Sequence, residues 1–280
     1  MDLIEKPAVA DDGHRFMLRV VEPAQVRASL LFLPALGVPA AKYDAFAVAL
    51  ARQGLRVAVA EWRGLGSSNW RARRGCDWDY GYLLRLDLAA ARAALQAIAP
   101  GAWHYGGHSL GGQFATLLAA LRPADCAGLV LVATGVPDQR LYRGRAGWMI
   151  RVFARLLPAL TRLCGYYPGR RLGFAGREAG GVMRDWAQTV RRGVYADYGT
   201  GEALESRLAR LRTPVLGLSL AADWLAPANT LAALVEKLGP GPRRLLTLDH
   251  EALGVRADHF AWMRQPQGLA RIIASALLSS

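Results

Sequence analysis

The stretch WHYGGHSLGGQFATLLAA, residues 103–120, places one serine between closely spaced glycines, directly after a short run that could form a strand. Gly107 and Gly111 lie two residues before and two residues after Ser109. One interpretation is a glycine-rich turn that leads into a helix. The other is a G-x-S-x-G turn between a strand and a helix, which holds a serine nucleophile at a positive φ angle. Other parts of the chain decide between the two.

The flanking glycines favour the second interpretation. A sharp turn brings the strand and the helix so close that side chains at positions 107 and 111 would collide. The N-terminus of the helix also offers backbone N–H groups and the positive end of its dipole to negative charge that develops near the serine.

Short β-rich runs alternate with helical patterns along most of the chain. From residue 28 onward most of these runs are continuously apolar, which is typical of strands buried on both faces of a parallel sheet. We therefore predict an α/β fold, a doubly wound and mostly parallel sheet with helices on both faces. The predicted strands are 15–22, 28–34, 56–62, 102–108, 127–134, 214–220 and 243–249, and the predicted helices are 39–53, 81–98, 110–121, 203–211, 228–238 and 266–278.

The alternation breaks once, between residues 138 and 200. This segment carries no convincing strand and two helical stretches, around 146–163 and 178–193. We predict a core domain formed by residues 1–137 and 201–280, with residues 138–200 inserted between two of its strands as a helical cap.

The net charge of +13 is concentrated in one part of the chain. Residues 140–192 hold twelve arginines and two acidic residues, and so supply +10 of it. Basic proteins can bind nucleic acid or anionic membranes. The chain has no nucleic-acid recognition motif and no interleaved aromatic platform, so we expect no nucleic acid partner. Two interpretations of the arginine-rich segment stay open: it contacts an anionic surface peripherally, or its arginines simply face water.

The distribution of apolar and cysteine residues predicts a cytoplasmic protein. The longest apolar stretches, such as ASLLFLPALGV at 28–38, are shorter than the roughly 18 residues that a membrane span needs. The first residues have no basic start followed by an apolar core, so we expect no signal peptide. The three cysteines are scattered and have no metal-ligand spacing, which fits reduced thiols.

A serine hydroxyl needs a base to become a good nucleophile, and the chain has five histidines. Three are unsuited: His14 precedes the first strand as a turn residue, His104 lies within a strand, and His108 should point away from the adjacent serine. His259 is favoured because it lies in a loop before the final helix, in DHFAWMRQP. His250 ends the last predicted strand and remains the alternative.

The acid that orients the histidine should follow another strand, between the serine and the histidine. The stretch PVLGLSLAADWLAP, residues 214–227, provides a strand, a short loop, Asp223, and then Pro227 at the start of a helix. A helix-capping or turn aspartate is the alternative interpretation of Asp223. Asp249 and Asp258 lie too near the histidines to be favoured.

In the order Ser109, Asp223, His259, the chain resembles the α/β-hydrolase superfamily over nearly its whole length. The resemblance rests on GHSLGG, on ADWLAP, on DHFAWMRQP, and on residues 30–68, which look like that family's oxyanion loop and D-x-R-G-x-G-x-S segment. It is nearest to a little-characterised bacterial branch of esterase-like proteins. Two positions depart from the pattern.

At these two positions, Pro34-Ala35 replace the usual His-Gly, and Glu61 replaces the usual Asp. The resemblance implies that Ser109 is the nucleophile, and by position it makes the backbone N–H groups of Leu36 and Leu110 the oxyanion donors. It implies a serine hydrolase acting on a small-molecule carboxylic ester, thioester or lactone, with no metal or organic cofactor.

Two other functions stay open on the same fold: acyl transfer or thioester cleavage by the same triad, and a non-catalytic α/β-hydrolase-fold binding protein. The predicted cap is long, and it mixes large apolar residues with arginines. We therefore expect a roomy, largely apolar pocket for a bulky or lipophilic ester. A loose resemblance to bacterial esterases that open macrolide lactones keeps a macrocyclic lactone as a second substrate class.

Overall fold

The computed structural model describes residues 2–201 and 203–278, and it centres on an eight-stranded sheet. The strands are β1 (Leu3–Val9), β2 (Arg15–Val21), β3 (Ala28–Leu33), β4 (Leu55–Ala60), β5 (Trp103–His108), β6 (Cys126–Val132), β9 (Val215–Leu220) and β10 (Arg243–Leu248), with β7 (Tyr167–Pro168) and β8 (Arg177–Glu178) forming a separate pair. The strand order in the large sheet is β1-β2-β4-β3-β5-β6-β9-β10. Strand β2 pairs antiparallel with β1 and with β4, and all other pairs in this sheet are parallel.

Helices cover both faces of this sheet, which confirms the predicted doubly wound α/β fold. Alternate side chains of β3 show why: Leu31 and Leu33 belong to one buried cluster, and Leu30 and Phe32 belong to the other. The helices are α1 (Asp44–Ala51), α2 (Tyr80–Tyr82), α3 (Leu88–Ile98), α4 (Leu110–Leu121), α5 (Gly144–Cys164), α6 (Gly169–Leu172), α7 (Gly180–Arg192), α8 (Leu204–Leu208), α9 (Ala228–Glu236), α10 (His250–Leu253) and α11 (Gln267–Leu278).

The two buried clusters divide the helices between the two faces. Helices α1 and α11 pack with the cluster that contains Phe32, and α3, α4, α8 and α9 pack with the cluster that contains Leu31. In a parallel sheet the carboxyl ends of all strands meet at one edge, so the loops after β3, β5 and β9 emerge together.

The predicted strands agree with the observed ones to within two residues at each end. Strand β1 is not among the predicted strands, because this edge strand has mostly exposed side chains and lacks a buried apolar run. The two-residue strands β7 and β8 are also not among them, because they are too short to produce an alternating pattern.

Helices α5, α6 and α7 lie between β6 and β9, in the segment predicted as a cap. Helices α5 and α7 share their own buried cluster, which includes Ile150, Leu157 and Met183. Trp148 and Leu156 lie on the same helix α5 but are exposed.

No helix within residues 2–201 and 203–278 combines the length and the apolar character that crossing a membrane requires.

Candidate active site

Ser109 lies at the tip of a sharp turn between β5 and α4. Its φ is 55° and its ψ is −121°, a conformation that a residue with a side chain rarely adopts. Such strain costs on the order of 1–3 kcal/mol and persists only where the surroundings enforce it. Here the Ser109 N–H donates to the carbonyl of Val132 at 3.0 Å, and the Ser109 carbonyl accepts from the Gly112 N–H at 3.0 Å.

The flanking glycines occupy positions that have no room for a side chain. A Cβ atom on Gly111 would lie 2.0 Å from the carbonyl oxygen of Leu33, and one on Gly107 would lie 2.2 Å from the carbonyl carbon of Gly111. Strand β5, helix α4 and the end of β3 therefore meet at this turn. As expected from the sequence, side chains at positions 107 and 111 would collide with the backbone.

Asp223 and His259 form a buried pair. The Nδ1 atom of His259 lies 2.7 Å from Oδ2 of Asp223, and both residues are less than a tenth exposed. The other oxygen, Oδ1, accepts hydrogen bonds from the backbone N–H groups of Leu225 and Ala226 at 2.9 and 3.0 Å. Asp223 therefore closes a turn with one oxygen and contacts the imidazole with the other. With Nδ1–H donating to the carboxylate, Nε2 of His259 is left as an acceptor.

The ring of His259 lies beside the turn that carries Ser109. Its centroid is 4.7 Å from the centroid of the His108 ring, one residue before the serine. No hydrogen bond joins the Ser109 hydroxyl to His259 among the residues that the structure describes. Such bonds are often long without substrate and tighten only in the complex.

Two expectations about the other histidines are wrong. His250 does not end a strand; it is the first residue of the short helix α10 and is exposed. His14 does lie in a turn, but this turn follows β1 and does not precede the first strand. The His14 side chain is fully buried, with Nδ1 2.9 Å from Asp87 and Nε2 2.9 Å from the hydroxyl of Ser68. The burial of His14 could not be read from the sequence, because it depends on which distant segments pack around the imidazole.

Leu36 lies in the loop after β3, and side chains from two other segments hold this loop. The carbonyl of Pro34 accepts from the indole N–H of Trp62 at 2.8 Å, and the Ala35 N–H donates to the hydroxyl of Tyr43 at 2.9 Å. In the described part of the chain, the N–H groups of Leu36 and Leu110 donate to no protein acceptor. Both remain available to an oxygen that carries negative charge.

Tyr43 connects this loop to the serine turn. Its hydroxyl lies 2.8 Å from Nδ1 of His108. Burial raises the pKa of Tyr43 and lowers the pKa of His108 well below its usual range, so the phenol is protonated and the imidazole is neutral. The Tyr43 hydroxyl therefore donates to His108 and accepts from the Ala35 N–H. Tyr43 is not among the residues predicted for the site, since no local sequence pattern marks it.

Replacing Tyr43 with phenylalanine should destabilise the fold and slow the reaction. The ring still packs, but the Ala35 N–H and Nδ1 of His108 are left buried without partners, which costs about 1–3 kcal/mol of unfolding free energy. Urea denaturation measures this loss. We also expect kcat to fall more than KM rises, because the loop that carries Leu36 loses an anchor.

Tyr82→Phe is the matched control, since Tyr82 is exposed and its hydroxyl has no such role. If Tyr43→Phe unfolds at the same urea concentration as Tyr82→Phe and keeps full kcat, the hydrogen bonds of the Tyr43 hydroxyl contribute neither to stability nor to the reaction.

Glu61, which replaces the family's usual aspartate, is buried below the same loop. Its Oε1 atom accepts from the N–H groups of Ala40 and Trp62 at 3.0 and 3.2 Å, and burial raises its pKa. The residue therefore anchors the backbone of this loop.

The inserted segment lies directly on the loop that carries Leu36. A Cβ atom on Gly37 would be 2.5 Å from the nitrogen of Gly176, and Leu36 packs against the cluster between α5 and α7. Three partly buried rings belong to the same cluster and stack edge to face or tilted, with centroids 5.5 to 6.3 Å apart. They are Phe153, Phe174 and Trp186.

Two cavities lie away from Ser109. One of about 380 Å³ is at the amino ends of β5, β6, β9 and β10, the sheet edge opposite Ser109. The other, of about 290 Å³, lies between α3 and α4 and is lined by four arginines.

The serine turn, the buried Asp–His pair and the sheet order together define an α/β-hydrolase. Residues 24–251 match the Hydrolase_4 family, described as serine aminopeptidase, S33, and the chain belongs to this family. Among curated proteins, none matches the chain significantly in sequence.

Solved structures show the same fold at low sequence identity. A hydrolase from Pseudomonas aeruginosa PA01 is 22% identical over 98% of both chains, with a TM-score of 0.61. A thermophilic esterase from Thermogutta terrifontis is 18% identical over 99% of this chain and 98% of its own, with a TM-score of 0.63. A monoacylglycerol lipase from Paleococcus ferrophilus is 16% identical over 100% of this chain and 99% of its own, with a TM-score of 0.61.

Proposed function

We propose that the chain is a serine hydrolase that cleaves a carboxylic ester through Ser109, His259 and Asp223. The observation that carries the proposal is the buried 2.7 Å contact between His259 and Asp223 beside a serine held at positive φ. Structural strain on one serine, together with a buried imidazole–carboxylate pair next to it, fits nucleophilic catalysis better than any purely structural role.

In the proposed mechanism, the Ser109 hydroxyl attacks the ester carbonyl while Nε2 of His259 takes its proton. The negative charge on the carbonyl oxygen is held by the N–H groups of Leu36 and Leu110. His259 then gives the proton to the departing alcohol, and an acyl group remains on Ser109. A water molecule, deprotonated by His259, releases the acid and restores the serine. Asp223 keeps Nδ1 protonated and stabilises the imidazolium that forms.

The proposed substrate is a bulky or lipophilic ester. Phe153, Phe174 and Trp186 place apolar surface in the cluster that also contains Leu36, so an acyl chain bound beside the oxyanion donors would meet aromatic rings. Residues 138–200 act as the cap over the nucleophile in this proposal. A macrocyclic lactone is the second substrate class, and a cytoplasmic location remains part of the proposal.

A hydrolysis profile tests this function. Purified protein is assayed on esters of increasing acyl length, on thioesters and on macrocyclic lactones, with Ser109→Ala protein as the blank. We expect kcat/KM to rise from acetyl toward longer acyl chains. A steady fall with acyl length contradicts the apolar pocket. An added alcohol that captures the acyl group in preference to water would instead identify an acyltransferase, and no turnover on any acyl compound would favour a binding protein.

A further inference from the structure

Helix α5 presents an apolar stripe to solvent. Trp148, Met149, Leu156 and Leu163 are 62%, 50%, 61% and 75% exposed. With Val152 and Ala159 they recur at helical spacing on one face. The opposite face carries Ile150, Ala154 and Leu157, which are buried against α7. The stripe is therefore not part of the core, and a contiguous exposed apolar surface of this kind marks an interaction site.

Arginines accompany the stripe along the whole helix. Arg145, Arg151, Arg155 and Arg162 lie on α5, which contains no acidic residue. On the helical wheel, Arg155 and Arg162 lie beside Trp148 at one edge of the stripe, and Arg145 lies within it. Arg145, Arg155 and Arg162 are exposed.

Further arginines lie at the C-terminal end of the helix and in the segment that follows it. The guanidinium of Arg74 donates to the carbonyl of Leu163, and the neighbouring Arg73 is also exposed. Arg170 and Arg171 are exposed on the next helix, α6, beside the exposed Leu172. The positive charge therefore continues beyond the stripe itself.

Of the two acidic residues within residues 140–192, one is buried and the other is half-buried. Glu178 is buried and accepts from the Gly176 N–H at 2.9 Å, and burial raises its pKa to about 7. Asp185 accepts from the Tyr80 N–H at 2.9 Å, and burial raises its pKa to about 6. They do little to offset the arginines, so the exposed charge of residues 140–192 is strongly positive.

We propose that the stripe on α5, defined as Trp148, Met149, Val152, Leu156, Ala159 and Leu163, binds the surface of an anionic phospholipid bilayer. Its apolar side chains enter the boundary between headgroups and acyl chains, and the arginines beside it pair with lipid phosphates. Helices that combine an apolar face with arginines along its margin bind membrane interfaces in this manner.

The charge pattern selects this occupant over two others. A nucleic acid would match the arginines but would leave four large exposed apolar side chains without a partner. A second copy of the chain would cover the stripe but would bring one set of arginines against another. A lipid surface offers an apolar environment to the side chains of the stripe and phosphates to the arginines beside it. The inference does not depend on the proposed function, because binding is measured with Ser109→Ala protein.

Vesicle sedimentation tests the proposal. Protein is mixed with vesicles of phosphatidylcholine alone, or of phosphatidylcholine with about 30% phosphatidylglycerol, at about 0.1 M salt, where charges act over about 10 Å. We expect binding to the anionic vesicles at least about tenfold stronger than to the neutral ones, since each arginine near an anionic surface contributes. Raising the salt concentration should weaken the binding by screening.

Two sets of substitutions separate the apolar contribution from the charged one, and each should weaken binding to anionic vesicles by about tenfold or more. The first is the triple variant Trp148→Ser, Leu156→Ser and Leu163→Ser. The second is the triple variant Arg145→Gln, Arg155→Gln and Arg162→Gln. Their matched controls change exposed residues elsewhere and should bind like the unaltered protein: Ile4→Ser with Val9→Ser and Leu245→Ser, and Arg52→Gln with Arg264→Gln and Arg271→Gln.

Three results would overturn the proposal. One is the absence of binding to anionic vesicles. Another is equal weakening by the stripe variants and by their matched controls, which would reflect net charge or general surface polarity. The third is a concentration-dependent dimer that the serine triple variant abolishes, without vesicle binding, which would make a second copy of the chain the occupant of the stripe.

Discussion

Replacing Ser109 with alanine should lower kcat by a factor of about 10⁴–10⁶, while the protein remains folded. The substitution removes only the hydroxyl, and the turn is held by backbone bonds to Val132 and Gly112 that alanine also makes. Under the proposed mechanism no other group nearby can form the acyl intermediate, so the residual rate reflects only binding and the oxyanion donors.

Covalent labelling measures the same role directly. A fluorophosphonate probe should modify the unaltered protein once, at Ser109, and should leave Ser109→Ala unlabelled. Ser206→Ala is a matched control, because Ser206 is exposed on α8, and this variant should label and turn over normally. Labelling of Ser109→Ala at the original rate would show that another residue is the nucleophile.

The second large effect is expected at His259. His259→Ala should cost nearly as much in kcat as removing the serine, because members of a triad act as one unit. His250→Ala is the control, because this imidazole is exposed on α10 and should be dispensable. An inactive His250→Ala beside an active His259→Ala would reverse the assignment.

Asp223→Asn should lower kcat by on the order of 10⁴. The amide can still accept the backbone N–H groups of Leu225 and Ala226 through its oxygen, so the turn should persist. Its NH₂ group then faces His259 and favours the wrong tautomer. Steady-state ester hydrolysis measures the loss of kcat, and a thermal melt of the same variant measures its stability. Unfolding would lower both kcat and the melting temperature, whereas the tautomer effect lowers kcat alone.

Local patterns predicted much of this molecule. The continuous apolar runs of β3, β6 and β9 identify strands buried on both faces, because only such strands tolerate apolar residues at every position. The glycines around Ser109 predict the sharp turn, because the need for space at positions 107 and 111 is local to that turn. The order of the serine, aspartate and histidine along the chain then selected the superfamily.

Other features depend on segments far apart in the chain. Tyr43 meets His108 across 65 positions of sequence, and no motif in either segment indicates the contact. The buried ring of His14 contacts the side chains of Asp87 and Ser68, which are also distant from it in the sequence. Edge strand β1 has no apolar run because most of its side chains are exposed, and its place in the sheet follows from its pairing with the outer edge of β2.

The sequence by itself determined the α/β class, the turn at Ser109 and the positive charge of the inserted segment, because periodicity, spacing and composition are properties of neighbouring residues. Only the tertiary structure decided which histidine meets Asp223 and which apolar residues of α5 stay outside the core. The helical spacing of Trp148 and Leu156 is as regular as that of Ile150 and Leu157, and burial differs because α7 packs against only one face of the helix.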